Sequence, residues 1–259
     1  MKRLWITDVH ASLPAFEAVL RAAGDVDEVV FLGDIVGYGP HPSECVDLLR
    51  TLCPKAIRGN HDSSVFSVKN HTFQNMKSDV DWDEWTFHQL DESQLRYLRA
   101  LPDELTVVSA GHEIRAIHHP AGAPYLHPAM SDRLLAGYFQ NISGAIVFFG
   151  HSHRMIDRVI DGRRFVCFPS VGQARNGDIR AGYGLEIDGK LNFRFVACDV
   201  RKVIADVHRI GLPEKFCERW INFISTGFDR EWSRDFIPDN LQDKHGPEAS
   251  GPAEINFQD

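Results

Sequence analysis

Short apolar runs alternate with amphipathic stretches in the N-terminal part of the chain. Runs rich in β-branched and aromatic residues at 4–7, 28–32 and 55–57 predict three strands. Helical periodicity over residues 14–23 and 43–52 predicts a helix between each successive pair. This β-α-β-α-β order favours neighbouring strands in a largely parallel sheet with helices outside it.

The middle of the chain has a different pattern. Residues 82–101 read as helical, and Asp91 and Gln94 have the spacing of a helix capping box. Strand-like runs then follow at 113–117, 145–149, 158–160, 164–168, 183–187 and 192–196. Because Asp161-Gly162 and Asp188-Gly189 are hairpin turn signals, we expect a second, more antiparallel sheet. Helical periodicity returns over residues 200–227, with a break near 211–213.

Length, composition and charge indicate how the chain is divided and which partners it is suited to. The chain has 259 residues, of which 43% are hydrophobic and 25% charged, so it can bury a sizeable core. We predict a single domain over residues 1–228 and a polar C-terminal tail over 229–259. The tail holds eight acidic and three basic residues, which is −5 of the net charge of −8 and leaves −3 for the domain. A near-neutral domain argues against nucleic-acid polymers and anionic membranes as partners.

Five cysteines at wide spacing, without a CxxC pair, indicate neither a disulfide framework nor a thiolate zinc site. The N-terminus lacks the apolar stretch of a signal peptide, and no run of 18 apolar residues occurs in the sequence. We therefore expect a soluble, cytoplasmic protein.

Polar side chains with metal-ligand chemistry follow five of the predicted strands. Strands of a parallel sheet bring such residues together at their carboxyl ends. The residues are Asp8, His10, Asp34, Asn60, His118, His151 and His153. Carboxylate and amide oxygens mixed with imidazole nitrogens suit Mn, Fe, Zn, Ni or Co, whereas an all-oxygen set suits Mg or Ca.

Five sequence blocks occur in a fixed order: Asp8-x-His10, Gly33-Asp34-Ile35-Val36-Gly37-Tyr38-Gly39-Pro40, Gly59-Asn60-His61-Asp62, His118, and Gly150-His151-Ser152-His153. Together they resemble the calcineurin-like metallophosphoesterase superfamily, in its small bacterial and archaeal phosphodiesterase branch. The segments 170–175 and 211–214 are also similar to that branch, so the resemblance spans roughly residues 1–228.

The resemblance implies an α/β fold, a two-sheet sandwich of mixed parallel and antiparallel strands flanked by helices. It also implies two divalent metal ions, bridged by Asp34 and a hydroxide. The remaining ligands it implies are Asp8, His10 and His153 for one ion, and Asn60, His118 and His151 for the other.

The chemistry of phosphate esters supports this assignment. Two cations can neutralise the phosphate oxygens and lower the pKa of bound water to about 7. The departing alkoxide needs a proton, which His61 can supply near neutral pH, and Asp62 is predicted to orient that imidazole. We therefore predict a phosphodiesterase for small phosphorylated substrates, with manganese as the expected metal and Fe, Zn, Ni, Co or Mg as alternatives.

Three further residues are candidates for substrate contacts. Strand alternation lets only one of His118 and His119 face the metals; we favour His118, and His119 stands where the family usually has a small residue. Arg58 is predicted either to contact phosphate or to form a salt bridge. Tyr38, between two glycines, either lines the pocket or anchors the loop by packing.

Other functions stay open at this point. Within the same chemistry, the alternatives are a dinucleoside polyphosphate hydrolase and a phosphomonoesterase or protein phosphatase. Outside it, the same fold could serve as a protein-docking scaffold. The sequence leaves the oligomeric state undetermined.

Overall fold

The computed structural model describes residues 1–52, 54–67, 79–211, 214–228 and 255–256. The strands are β1 (Lys2–Ile6), β2 (Glu28–Phe31), β3 (Lys55–Ala56), β4 (Glu104–Ser109), β5 (His112–Ile117), β6 (Ile146–Phe149), β7 (Ile156–Ile160), β8 (Arg163–Cys167), β9 (Ala181–Ile187), β10 (Lys190–Val196) and β11 (Ile255–Asn256). The helices are α1 (Leu13–Ala23), α2 (Pro42–Thr51), α3 (Asn60–Ser64), α4 (Asp79–Gln89), α5 (Glu92–Ala100), α6 (Asp132–Tyr138), α7 (Val200–Ile210) and α8 (Glu214–Thr226).

The strands form two mixed sheets, as the predicted sandwich requires. One sheet has the order β11-β10-β9-β1-β2-β3, and the other has the order β4-β5-β6-β8-β7. The expected division into a parallel and a more antiparallel sheet was wrong. The hairpin β9–β10 joins the first sheet by antiparallel pairing of β9 with β1, and the second sheet contains the parallel pairs β5–β6 and β6–β8. Strand β9 is buried over most of its length because it lies inside the first sheet.

Local signals explain most element boundaries. The helical stretch 82–101 divides because Asp91 caps α5: its carboxylate accepts a hydrogen bond from Gln94 N (2.8 Å), and Gln94 Oε1 accepts one from Asp91 N (3.0 Å). The predicted turns are confirmed, since Asp161, Gly162, Asp188 and Gly189 all have positive φ. The turn Ala110-Gly111 has the same geometry, and we missed β4 because alanine is not a turn signal.

The apolar side chains form a layered core. Between the sheets, Trp5 and Leu32 of the first sheet pack in one cluster with Phe148 and Phe168 of the second. Helices α1, α2 and α5 cover the outer face of the first sheet, and α6 covers that of the second. Helices α4, α7 and α8 share a separate apolar cluster, and we call these three helices the helical cap.

A buried ion pair links the neighbouring strands β1 and β9 of the first sheet, near the start of β1. Arg3 (2% exposed) and Glu186 (1% exposed) are 3.0 Å apart, and Trp5 Nε1 donates a hydrogen bond to Glu186 at 2.9 Å. Ser109 of the second sheet also donates to Glu186. Each charge is paired and hydrogen-bonded, as burial of charge requires.

The remaining expectations concern cysteines, membrane segments and the tail. Cys45, Cys167 and Cys198 are free thiols, while Cys53 lies outside the described residues. Among the described helices, none combines the length and apolar character needed to cross a bilayer. Most of the predicted tail also lies outside the described residues; its short strand β11 pairs antiparallel with β10.

Candidate metal centre

The seven candidate ligands follow strands whose carboxyl ends meet at one edge of the sandwich. Five of them have a left-handed backbone, with φ values between 47° and 65°: Asp8, His10, Asp34, His151 and His153. This conformation costs non-glycine residues of the order of 1–3 kcal/mol each and is concentrated at functional sites. The fold therefore sacrifices local stability to aim these side chains inward.

Asp8, His10 and His153 form the first group of donors, and all three are buried. Asp8 Oδ1 lies 3.2 Å from His153 Nε2 and 3.8 Å from His10 Nε2. The two Nε2 atoms lie 3.0 Å apart. The Gln173 carbonyl accepts the Nδ1 hydrogen of His153, which leaves Nε2 free to act as a ligand.

Asp34, His118 and His151 form the second group, and Asn60 lies among them. His118 Nε2 is 3.2 Å from Asp34 Oδ2 and 3.1 Å from Asn60 Oδ1, and Asn60 Oδ1 is 2.7 Å from His151 Nδ1. The Leu32 carbonyl accepts a hydrogen bond from His118 Nδ1 at 2.7 Å, so Nε2 faces the cluster.

Asp34 connects the two groups. Its Oδ1 accepts a hydrogen bond from the His61 backbone N–H (2.8 Å), and its Oδ2 faces His118 at 3.2 Å and His10 at 4.0 Å. This Oδ2 is buried, and among the described residues no hydrogen bond of good geometry reaches it; the His118 ring, whose pKa is raised, faces it at 3.2 Å. A buried carboxylate needs such positive charge nearby, and a bound cation would take the place of the His118 proton. The mixed oxygen and nitrogen donors therefore fit divalent transition metals.

Gly59 allows Asp34 to take this position. A Cβ atom on residue 59 would lie 2.0 Å from Asp34 Oδ1 and 2.4 Å from Asp34 N. The loop before α3 can therefore approach Asp34 only when residue 59 has no side chain.

Asp62 does not have the role that we predicted for it. Its carboxylate accepts hydrogen bonds from the backbone N–H groups of Asp34, Ile35, Val36 and Gly59, at 2.8–3.2 Å. Burial and the nearby Asp34 charge raise its pKa to about 6, although these hydrogen bonds act against that shift. The prediction that Asp62 orients the His61 imidazole is therefore corrected: Asp62 fixes the loop that carries Asp34.

His61 lies at the edge of the donor cluster. Its ring centroid is 5.1 Å from that of His10 and 4.5 Å from that of Tyr38. Its Nδ1 lies 3.7 Å from a carboxylate oxygen of Asp83 in α4. Burial lowers the pKa of His61, but Asp34 and Asp83 outweigh it, and the pKa is raised. The surroundings thus favour a protonated imidazole that can donate a proton.

The two histidines of the second group differ in charge. Burial lowers the pKa of His118, but the Asp34 carboxylate that it faces raises that pKa to about 10. Burial and the neighbouring His119 and His118 lower the pKa of His151 to about 2. Without metal, His118 therefore carries the proton that partly balances Asp34.

The other sequence candidates lie as follows. Arg58 was expected either to contact phosphate or to form a salt bridge, and it forms a salt bridge with Asp103 at 2.7 Å. Tyr38 was expected either to line the pocket or to anchor its loop by packing, and it does both: its ring contacts His61 and also packs against the helical cap. His119 lies outside the donor groups; its Nε2 donates to the Ala123 carbonyl at 2.7 Å.

Sequence reasoning missed three residues near the site. Tyr125 stacks on the His151 ring at a centroid distance of 4.6 Å, and the Arg175 guanidinium lies 4.2 Å from the Tyr125 ring centroid. Asp83 faces His61. Arg175 ends one of the blocks on which the resemblance rests, whereas Tyr125 and Asp83 belong to no motif.

Comparison with known proteins shows which family the chain belongs to. The sequence profile described as calcineurin-like phosphoesterase matches residues 1–155. The chain belongs to the calcineurin-like phosphoesterase family. Relatives of this family include phosphodiesterase YfcE of Escherichia coli, which is 35% identical over 83 residues. That match covers 27% of this chain and 45% of YfcE, so it concerns only part of either protein.

Longer similarities extend over most of the chain. An uncharacterized protein of Methanocaldococcus jannaschii is 29% identical over 235 residues, which is 83% of this chain and 95% of that protein. The crystal structure of a metallophosphoesterase from Sphaerobacter thermophilus matches with a TM-score of 0.70 and 30% identity, covering 88% of this chain and 99% of that one. A hypothetical protein of Pyrococcus horikoshii OT3 has the same fold, with a TM-score of 0.74, 19% identity, and coverage of 85% and 97%.

Proposed function

We propose that this calcineurin-like phosphoesterase is a phosphodiesterase that hydrolyses small phosphorylated substrates with two divalent metal ions. The observation that carries the proposal is the position of Asp34, whose buried Oδ2 faces His118 of one donor group and His10 of the other. The partial similarity to phosphodiesterase YfcE supports a diester substrate.

The chain offers two adjacent ligand sets that share one carboxylate. Asp34 would belong to both sets. One set is Asp8, His10, Asp34 and His153; the other is Asp34, Asn60, His118 and His151. The cations would supply positive charge for the phosphate oxygens and lower the pKa of a water molecule to about 7. Mn²⁺ fits the mixed donors, and Fe, Zn, Ni, Co or Mg could replace it.

The protein itself positions the groups that act on the ester. Carbonyls of Leu32 and Gln173 fix the tautomers of His118 and His153, so that Nε2 of each faces the centre. Asp62 holds the Asp34 loop through backbone hydrogen bonds. His61, at the edge of the cluster, would give its proton to the departing alkoxide, which makes it the general acid.

A side-by-side assay tests the substrate class. With Mn²⁺ present, we expect bis(4-nitrophenyl) phosphate to be hydrolysed faster than 4-nitrophenyl phosphate and faster than a dinucleoside tetraphosphate. On a diester with an alkoxide or phenolate leaving group, His61→Ala should lower kcat by about 10²–10⁴-fold, because a general acid contributes that much; the less basic nitrophenolate should lose less. Faster turnover of the tetraphosphate or the monoester would replace the diesterase proposal with the corresponding activity. Absence of turnover for all three would favour the docking scaffold.

A further inference from the structure

The imidazole of His61 has a buried Nδ1 that no described residue meets at hydrogen-bond distance and geometry. A general acid needs this atom to be held, because the bond at one ring nitrogen decides the tautomer and the direction of the other. Within the described part of the chain, the carboxylate at ion-pair distance from His61 Nδ1 is that of Asp83, at 3.7 Å. Asp83 is 15% exposed and His61 is 14% exposed, so water screens this pair only partly.

The loop that precedes α2 places no side chain beside His61 Nδ1, so the Asp83 carboxylate can approach that atom. A Cβ on Gly37 would lie 2.9 Å from Cβ, Cγ and Nδ1 of His61, and Gly37 has φ +92°. The loop backbone therefore packs directly against the Nδ1 edge of the ring and brings no side chain there. Asp62, the neighbouring carboxylate in sequence, is occupied by backbone N–H groups.

We propose that Asp83 is the positioning residue for His61: it accepts the Nδ1 hydrogen and thereby directs Nε2 toward the leaving group. This inference rests on the proposed function. Hydrogen bonds of catalytic groups are often long before substrate binds, so a separation of 3.7 Å is compatible with a bond that shortens in the substrate complex.

The helical cap fixes the place of Asp83. The preceding residue, Trp82, packs against Trp220 of α8 and against Trp85, both at centroid distances of 6.2 Å. Tyr38, whose ring contacts His61, packs against the same cluster. Helix α8 lies beyond the residues 1–155 that match the family profile. A C-terminal part of the chain therefore helps to hold Asp83 beside the site.

Leaving-group dependence distinguishes a positioning role from a structural one. The test compares Asp83→Asn with wild type on methyl phenyl phosphate and methyl 4-nitrophenyl phosphate. Phenolate is the more basic leaving group, so it depends more on proton donation. We expect Asp83→Asn to slow the phenyl ester about tenfold more than the nitrophenyl ester. In a His61→Ala background, adding Asp83→Asn should cause no such difference between the two esters, because the group that Asp83 positions is absent. Equal effects on both esters would overturn the proposal.

Glu92→Gln provides a matched control, because it makes the same carboxylate-to-amide change at an exposed position in α5. We expect it to leave both rates unchanged.

A second readout does not depend on turnover. In full-length protein labelled with ¹⁵N-histidine and supplied with Mg²⁺, the His61 ring signals are assigned from their loss in His61→Gln. We expect Asp83→Asn to shift the His61 Nδ1 signal, whereas Glu92→Gln should not. If wild type hydrolyses neither ester, the proposed function fails, and this spectrum still decides: a shifted Nδ1 supports the positioning role and an unchanged one overturns it.

Discussion

The Nε2 atoms of His10 and His153 face each other at 3.0 Å, and both rings are buried. Burial lowers the pKa of His10 and of His153, which favours neutral rings. His153 carries its hydrogen on Nδ1, so a hydrogen bond between the rings requires the Nε2–H tautomer of His10. A cation held by both Nε2 atoms and Asp8 would replace that hydrogen bond.

The first prediction is that divalent metal stabilises the fold. A cation at about 100 times its Kd should add about 2.7 kcal/mol to the free energy of unfolding, because it binds the folded state only. Thermal melts with Mn²⁺, Zn²⁺ and Mg²⁺, against melts in EDTA, measure this gain. An unchanged Tm with every metal would contradict the prediction.

The second prediction concerns Gly59. Gly59→Ala places a methyl group 2.0 Å from Asp34 Oδ1, so the loop or the carboxylate must move. We expect the variant to lose most of its metal, measured by elemental analysis after dialysis. Gly137→Ala is the matched control: residue 137 lies in helix α6, and a Cβ there would have no described atom outside its own turn of helix within 4 Å. It should keep the metal and be more stable by about 0.5–1 kcal/mol.

The third prediction links metal binding to pH. His118 carries a proton when no metal is bound. Burial lowers the pKa of His118, but the Asp34 carboxylate raises it by more, to about 10. The lowered pKa values of His10, His151 and His153 leave these rings neutral. Metal must displace the His118 proton, so near pH 7 binding should release about one proton, and affinity should fall as the pH falls.

Calorimetric titration with metal in two buffers of different ionisation enthalpy measures this release. Equal binding enthalpies in both buffers would show that no proton leaves, contrary to the charge assigned to His118.

The fourth prediction concerns the buried ion pair between β1 and β9. Glu186→Ala removes the carboxylate that Arg3 Nη1 contacts and leaves Arg3 with Glu28 at Nε, so it should destabilise the fold by about 3 kcal/mol, the lower end of the cost of breaking a buried pair. Glu104→Ala, which removes an exposed pair with Arg115, should cost less than about 1 kcal/mol. Urea unfolding monitors both. Similar losses for the two variants would mean that the buried pair contributes no more than a surface one.

Much of the site could be predicted because ligand types and strand ends are local features of the sequence. Asp8, Asp34 and His118 each follow an apolar strand, and parallel strands bring such positions to one edge. The capping box at Asp91 and the turn at Asp188-Gly189 are likewise short-range signals that the structure confirms.

What could not be predicted depends on contacts between distant segments. The pairing of β9 with β1 joins residues far apart in sequence, so the hairpin was assigned to the wrong sheet. Asp62 lies beside His61 in sequence, yet the unpaired N–H groups of the Asp34 loop attract its carboxylate. Asp83 reaches His61 only through the docking of α4, which no periodicity reveals.

The central claim is that seven side chains surround two metal ions that share Asp34. Anomalous diffraction at the manganese edge, from crystals grown with Mn²⁺, tests it most directly. We predict two peaks about 3.5–4 Å apart, both in contact with Asp34, and the loss of at least one peak in Asp34→Asn. A single peak in wild type, or no peak among these residues, would contradict the account.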